Sequence, residues 1–246
     1  MVFEIIDSHD PKRLSEKIER IRSRNVALDD DLMSQVGWII ANVRRQGDAA
    51  LIDYAQQFDG CDMQVSELRI GEKELRQAAA SVDSNVVEAL REAIKNIRYF
   101  HENERQESWE IQTEHGVRLG QRITPIERVG LYVPGGSASY PSSVLMNVVP
   151  AQVAGVPRIV VATPPRALRE NPAVAAALLQ LGVSEVYAVG GAHAIAALAF
   201  GTETVPRVDK ITGPGNRYVA AAKKLVFGTV GIDSIAGPSD IVIIAD

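Results

Sequence analysis

The sequence predicts an α/β protein in which a helical first part is followed by a parallel sheet with helices on its faces. Three observations predict it. Charge density drops near Pro125: residues 1–125 carry 17 basic and 23 acidic side chains, and residues 126–246 carry only 9 and 8. Turn formers move the other way, from 6 Gly and 2 Pro to 13 Gly and 10 Pro. The second part also alternates short apolar runs with helix-like runs over short connections, as parallel strands with crossover helices require.

In the first part, Asp10-Pro11 suits an N-cap and first helical position, opening a helix to about Arg24. A second helix begins near Asp29–Asp31, where acids favour a helix N-terminus, and runs toward Gly47. A third spans Asp48 to Phe58 and ends at Asp59-Gly60. The clearest covers residues 84–104, where Val86, Leu90, Ala93, Ile94, Ile97 and Phe100 form one apolar stripe. Trp109, Ile111 and Thr113 then alternate toward His115-Gly116, and Val117, Leu119 and Gln121 alternate away, which reads as a hairpin. In the second part, strands are expected at 128–133, 158–163, 185–189, 210–212 and 241–245. The helices between them are expected at 143–154, 172–181, 192–200 and 216–227.

Composition excludes several classes of function. Net charge is −5 with no Lys/Arg-rich run, which argues against nucleic acid as a partner. No apolar stretch approaches the roughly 18 residues of a membrane span, and the first residues lack a secretory signal, so the chain reads as a soluble cytoplasmic protein with no membrane partner. The single cysteine, Cys61, excludes an internal disulfide and a cysteine-built zinc site. It reads more readily as an incidental thiol than as a nucleophile. The histidines His9, His101, His115 and His193 share no ligand spacing, so no metal-ligating set is found. GxxxxGK[ST] and G-x-S-x-G are absent, against a P-loop ATPase and an α/β-hydrolase. Tyr218 has Ala222 four residues on where a short-chain dehydrogenase needs Lys, and no late cysteine exists to serve an aldehyde dehydrogenase.

Parallel α/β sheets bind ligands beyond the carboxyl ends of their strands, and here those ends are glycine-rich. They read Val133-Pro134-Gly135-Gly136, Val189-Gly190-Gly191-Ala192-His193 and Gly213-Pro214-Gly215-Asn216. One such end is ordinary turn chemistry. Three in one sheet favour a nucleotide, because glycine admits close backbone approach and the following helix offers unpaired N–H groups to a phosphate. The dinucleotide fingerprint itself is absent, since Tyr218 stands where a third Gly or Ala belongs. His193 opens a helix at one of these ends, which leaves a ligand-facing role and a structural one equally open. Ser239 and Asp240 are expected in a turn between two strands, a pattern that a plain turn would also use.

The runs VRRQGDAALIDYAQQFDG (43–60), GLYVPGGSASYPSSVLMNVVPAQVAGV (130–156), VYAVGGAHAIAALAFGT (186–202) and KITGPGNRYVAAAKKLVFGTVGIDSIAGPSD (210–240) together resemble histidinol dehydrogenase, from about residue 20 to the last. The resemblance implies a zinc-dependent enzyme of histidine biosynthesis. Such an enzyme uses two NAD molecules to oxidise L-histidinol through the aldehyde to L-histidine. It further implies a homodimer and a Rossmann-like domain, residues 127–235, inserted into a second α/β domain formed by 28–126 and 236–246. Residues 1–27 would form a helical arm on the partner subunit. Carried over by motif, Tyr132 and Asn216 match NAD-contacting positions and Ser239 matches a substrate-contacting serine. His193 stands where the family usually has an NAD-contacting glutamine, and Asp240 where glutamate is usual. The family's zinc ligands and acid–base residues lie in a later region, so no catalytic residue is assigned and the 246 residues alone are expected to be inactive. The alternative reading is a half-length, non-catalytic nucleotide-binding or partner-binding protein.

Overall fold

The structure is a computed structural model that describes residues 9–23, 29–136 and 140–235. The helices of the first part are α1 (Pro11–Ser23), α2 (Asp30–Gln46), α3 (Asp48–Asp59), α4 (Glu72–Ala79) and α5 (Ser84–Asn103). Those of the second part are α6 (Pro141–Val153), α7 (Ala167–Glu170), α8 (Pro172–Gln180), α9 (Gly191–Phe200) and α10 (Arg217–Val226). The strands are β1 (Arg69–Ile70), β2 (Trp109–Gln112), β3 (Arg118–Gln121), β4 (Arg128–Tyr132), β5 (Arg158–Thr163), β6 (Glu185–Ala188), β7 (Lys210–Thr212) and β8 (Gly231–Ile232).

The main sheet has the order β1-β6-β5-β4-β7-β8. All neighbours in it are parallel except β1, which joins β6 antiparallel with Ile70 opposite Val186. The sheet is therefore mixed rather than purely parallel, and its odd strand comes from the helical first part. From β4 the chain steps to β5 and β6 on one side, then crosses back to β7 and β8 on the other. The strand order thus reverses between β4 and β7. Contacts sort the helices into two groups, α4, α5, α6, α7 and α8 in one and α2, α3, α9 and α10 in the other. Right-handed crossovers on either side of β4 place these groups on opposite faces of the sheet.

The core is aliphatic. Val160, Val161, Val186 and Ile211 are fully buried in the sheet, and Ala192 to Ala199 of α9 are buried on every side. A helix apolar all round must lie inside the fold, and α9 is covered by α2 and α10. α2 meets it with a stripe of Leu32, Val36, Ile40 and Val43, and is capped by Asp29, whose Oδ1 accepts the Leu32 N–H at 2.7 Å. The expected hairpin is present as β2–β3, with Ile111 opposite Leu119 and Gly116 at φ +80° in the turn.

Both ends of α3 are tied to the sheet unit. At its start, Glu203 Oε2 accepts the Asp48 N–H at 2.8 Å, while the buried Asp48 carboxylate accepts from the Thr204 N–H and hydroxyl. At its end, Arg166 Nη2 donates to the Gly60 carbonyl at 2.9 Å, and Gly60 closes the helix at φ +60°. The expected strand 241–245 lies outside the described residues, as do Ser239 and Asp240.

Candidate functional site

A cleft of about 1310 Å³ opens at the carboxyl ends of the strands, where the strand order reverses. This switch point is where open α/β sheets bind ligands. Its floor comes from the ends of β4 (Tyr132, Pro134–Gly136), β5 (Pro164, Arg166), β6 (Gly191–His193) and β7 (Pro214–Asn216). Glycine is needed where these ends close up. A Cβ on Gly190 would come within 2.9 Å of Pro164, and one on Gly213 within 2.1 Å of the Tyr132 carbonyl oxygen. The remaining wall is built by the helical part, with Trp38 and Ile39 from α2 and Tyr54, Phe58 and Asp59 from α3.

Three residues singled out in the sequence meet in this cleft: Tyr132, His193 and Asn216. Tyr132 is buried, and its hydroxyl oxygen accepts the Gly191 N–H at 3.0 Å. Burial pushes its pKa up to about 12, with the Gly191 hydrogen bond opposing and the Asp59 charge adding. The phenol therefore keeps its proton and can donate it to an occupant. Asn216 caps α10, its Oδ1 accepting from Tyr218 N at 3.0 Å and Val219 N at 3.1 Å. That leaves its amide N–H₂, a donor pair, for the cleft. Since α9 and α10 both begin at the cleft, their positive dipole ends favour an anionic group there.

His193 is only 2% exposed. Its ring packs beside Tyr54 and Phe58, with centroids 5.4 and 5.9 Å away, and neither ring nitrogen has a partner. Burial lowers its pKa from 6.5 to about 3, so the imidazole stays neutral. In the unfolded chain it would take a proton below pH 6.5, so its contribution to stability falls as pH drops from there toward the folded value. The His193 ring resonance is expected to hold one NMR chemical shift from about pH 8 to about pH 5. A titration midpoint near 6.5 would show the ring to be solvated.

Asp59 also has a buried oxygen, Oδ2, without a partner, and burial is the main cause of its raised pKa, partly offset by Arg166. A desolvated carboxyl in a cleft is costly to the fold, and such groups cluster at functional sites. The run 43–60 spans this α3 wall, but it assigned no role to Tyr54, Phe58 or Asp59. The apolar stripe of α2 contained a usable signal, because Trp38 falls off that stripe and so had to face solvent or a ligand.

Behind the floor, Lys223 anchors the 213–216 loop. Its buried Nζ donates to the Gly213 carbonyl at 2.5 Å and to Asp233 Oδ1 at 2.7 Å, while Asp233 Oδ2 accepts the Gly213 N–H at 3.0 Å. Burial alone would raise the Asp233 pKa, but the hydrogen bonds from Lys223, Ser234 N–H and Gly213 N–H hold it below the usual carboxylate value. The stability it contributes is present above pH 3.8 and is lost as pH falls through its depressed folded value. Replacing Lys223 with Met is expected to cost about 2–3 kcal/mol, below the full cost of breaking a buried pair because Asp233 is partly exposed. Urea denaturation measures that cost, and the variant should also lose the share of this acid-dependent component that Lys223 supplies, keeping the share from the Gly213 and Ser234 N–H groups.

The sequence profile of the family described as histidinol dehydrogenase matches residues 22–246. The chain belongs to the histidinol dehydrogenase family. It is 54% identical over 224 residues to a histidinol dehydrogenase of Carboxydothermus hydrogenoformans, covering 91% of this chain and 53% of that protein. It is 55% identical over 238 residues to the Geobacillus kaustophilus histidinol dehydrogenase, covering 94% and 55%. The crystal structure of histidinol dehydrogenase from Elizabethkingia anophelis superposes with a TM-score of 0.81 at 38% identity, covering 87% of this chain and 49% of that one. The chain thus spans about half the length of the curated relatives it matches. Family membership and the α/β fold agree with the resemblance seen in the motifs.

Among the described residues, no three His, Cys, Asp or Glu side chains are grouped to hold a metal ion. No described helix is long and apolar enough to cross a membrane.

Proposed function

We propose that the cleft binds NAD and that the chain is the cofactor-binding part of a zinc-dependent histidinol dehydrogenase acting in histidine biosynthesis. On this reading the reaction is the two-step oxidation of L-histidinol through the aldehyde to L-histidine, in a homodimer. The observation that carries the reading is the convergence of the Tyr132 hydroxyl, the Asn216 amide and two helix N-termini at the reversal of strand order.

Bound NAD supplies the hydride acceptor. The chain's own residues hold and orient it. The Tyr132 O–H and the Asn216 N–H₂ would donate hydrogen bonds, and the first turn of α9 would face the phosphates. His193 lies beneath Tyr54 and Phe58, so a contact with NAD needs those rings to shift; it would then offer one hydrogen bond as donor or acceptor. The described residues do not fit a zinc site. Ser239 is proposed to contact the substrate.

Calorimetric titration of NAD into the 246-residue chain tests the cofactor assignment. Saturable binding with a rise in Tm is expected, and no heat and no shift at millimolar NAD would overturn it. The reaction itself is tested on the protein encoded by the complete reading frame. NADH should form from L-histidinol and NAD with zinc present, and its failure to form would overturn the dehydrogenase assignment.

A further inference from the structure

Trp38 and Phe58 are large aromatic side chains left in the open, 77% and 54% exposed, and both line the cleft. We propose that they form a stacking wall for a flat heteroaromatic ring of the dinucleotide, built by α2 and α3 outside the sheet that holds its phosphates. The proposal rests on the NAD reading above and adds the residues that recognise a base.

The wall is braced, as a stacking surface must be if binding is not to cost the ordering of its side chains. Asn42 Nδ2 of α2 donates to the Tyr54 hydroxyl of α3 at 3.2 Å, joining the two helices. The Arg44 guanidinium sits 4.5 Å above the Phe200 ring, joining α2 to the end of α9. α3 is held at both ends, as described above. Within it, Tyr54 and Phe58 sit one turn apart with centroids at 5.3 Å and planes within 9°, so the Phe58 ring is fixed in orientation while over half of it stays uncovered.

The polarity of the cleft favours a base as the occupant. The sheet side presents the Tyr132 hydroxyl, the Asn216 amide and the helix N-termini, which suit sugar and phosphate. Two further aromatics, Tyr140 and Tyr218, line that side, and Tyr218 already carries the Arg217 guanidinium 5.2 Å from its ring. From α2 and α3 the cleft is lined by the rings of Trp38, Tyr54 and Phe58, with Trp38 and Phe58 left exposed. A base joined to a ribose phosphate has this same division, one flat end and one anionic end. Each face of a stacked base can be bound without reading its edge, so the shared chemistry is a planar heteroaromatic ring, adenine or nicotinamide.

The test uses intrinsic fluorescence. The chain has two tryptophans, so in a Trp109→Phe background the emission comes from Trp38. Titration with NAD should quench it with the same midpoint as the calorimetric binding curve. AMP and nicotinamide mononucleotide, titrated separately, tell which ring is stacked. Trp38→Leu should weaken NAD binding about tenfold and Trp38→Phe should restore most of it. The Tm of both variants should match wild type, because the side chain is exposed. Phe58→Leu should weaken binding in the same direction. Unchanged NAD affinity in Trp38→Leu, with wild type binding normally, would overturn the wall while leaving the NAD reading intact. A shift of Trp38→Leu toward monomer in sedimentation with unchanged NAD affinity would also overturn it, by assigning Trp38 to a contact between copies. If wild type itself binds no NAD, the reading of the cleft fails and the wall with it.

Discussion

Replacing Asn216 with aspartate is expected to leave the chain folded and to lower its affinity for NAD by about a hundredfold. The two halves of this side chain do separate work. Oδ1 accepts the Tyr218 and Val219 N–H groups and so caps α10, and an aspartate oxygen caps a helix equally well. The amide nitrogen is the group left for the cleft. Aspartate removes that donor and would set a negative charge beside the phosphates of the proposed occupant. Thermal denaturation should therefore show a nearly unchanged Tm while calorimetry shows the loss of binding. Asn216→Ala is the control, since it removes the cap as well and should cost about 1 kcal/mol of stability besides weakening NAD binding. Wild-type affinity in Asn216→Asp would remove this residue from the cofactor site.

Gly213→Ala is expected to be the most disruptive Gly→Ala change among the described residues. Gly213 has φ +119°, and a Cβ there would lie 2.1 Å from the Tyr132 carbonyl oxygen and 3.0 Å from its carbonyl carbon. The contact is with backbone, so no side-chain rotation can relieve it. The end of β7 would have to move off the end of β4, taking with it the loop that carries Asn216. The same loop is clasped by Lys223 and Asp233 through the Gly213 N–H and carbonyl, so that displacement also loosens a half-buried ion pair. A cost above about 3 kcal/mol follows, together with loss of NAD binding. Gly182→Ala separates strain from collision: Gly182 has φ +66° but nothing within 4 Å of its would-be Cβ, and should cost about 1 kcal/mol. Equal urea midpoints for the two variants would contradict the packing described at the switch point.

The parts of the fold legible in the sequence were those with enough residues to show a period. The stripe of α5 and the apolar runs of β4, β5 and β6 were read to within a residue or two; the glycine-rich strand ends led to His193, and the family resemblance to Tyr132 and Asn216. β1 and β8 were missed because each has two residues, too few for any alternation to appear. α4 was missed although it carried a signal: Glu74 Oε2 accepts the Gly71 N–H at 2.6 Å, and an acid at the third helical position is a known start mark. The order of the strands, and hence the cleft's position, depends on long-range pairing that no local pattern encodes. The α3 wall escaped for the same reason, since Tyr54, Phe58 and Asp59 join the site only because α3 is tied to Thr204 and Arg166, more than a hundred residues on. The burial of His193 follows from α9 being covered on all sides, a property of the packing and not of the GGAH motif.

The antiparallel pairing of β1 with β6 also sets a timetable for synthesis. Ile70 must wait for Val186, its opposite residue, and at ribosomal rates that interval is roughly 6 to 23 seconds. During it α2, whose stripe is covered in the finished fold by α9 and α10, has emerged while neither cover yet exists. The nascent chain therefore passes through a period of seconds with Leu32, Val36, Ile40 and Val43 open to water.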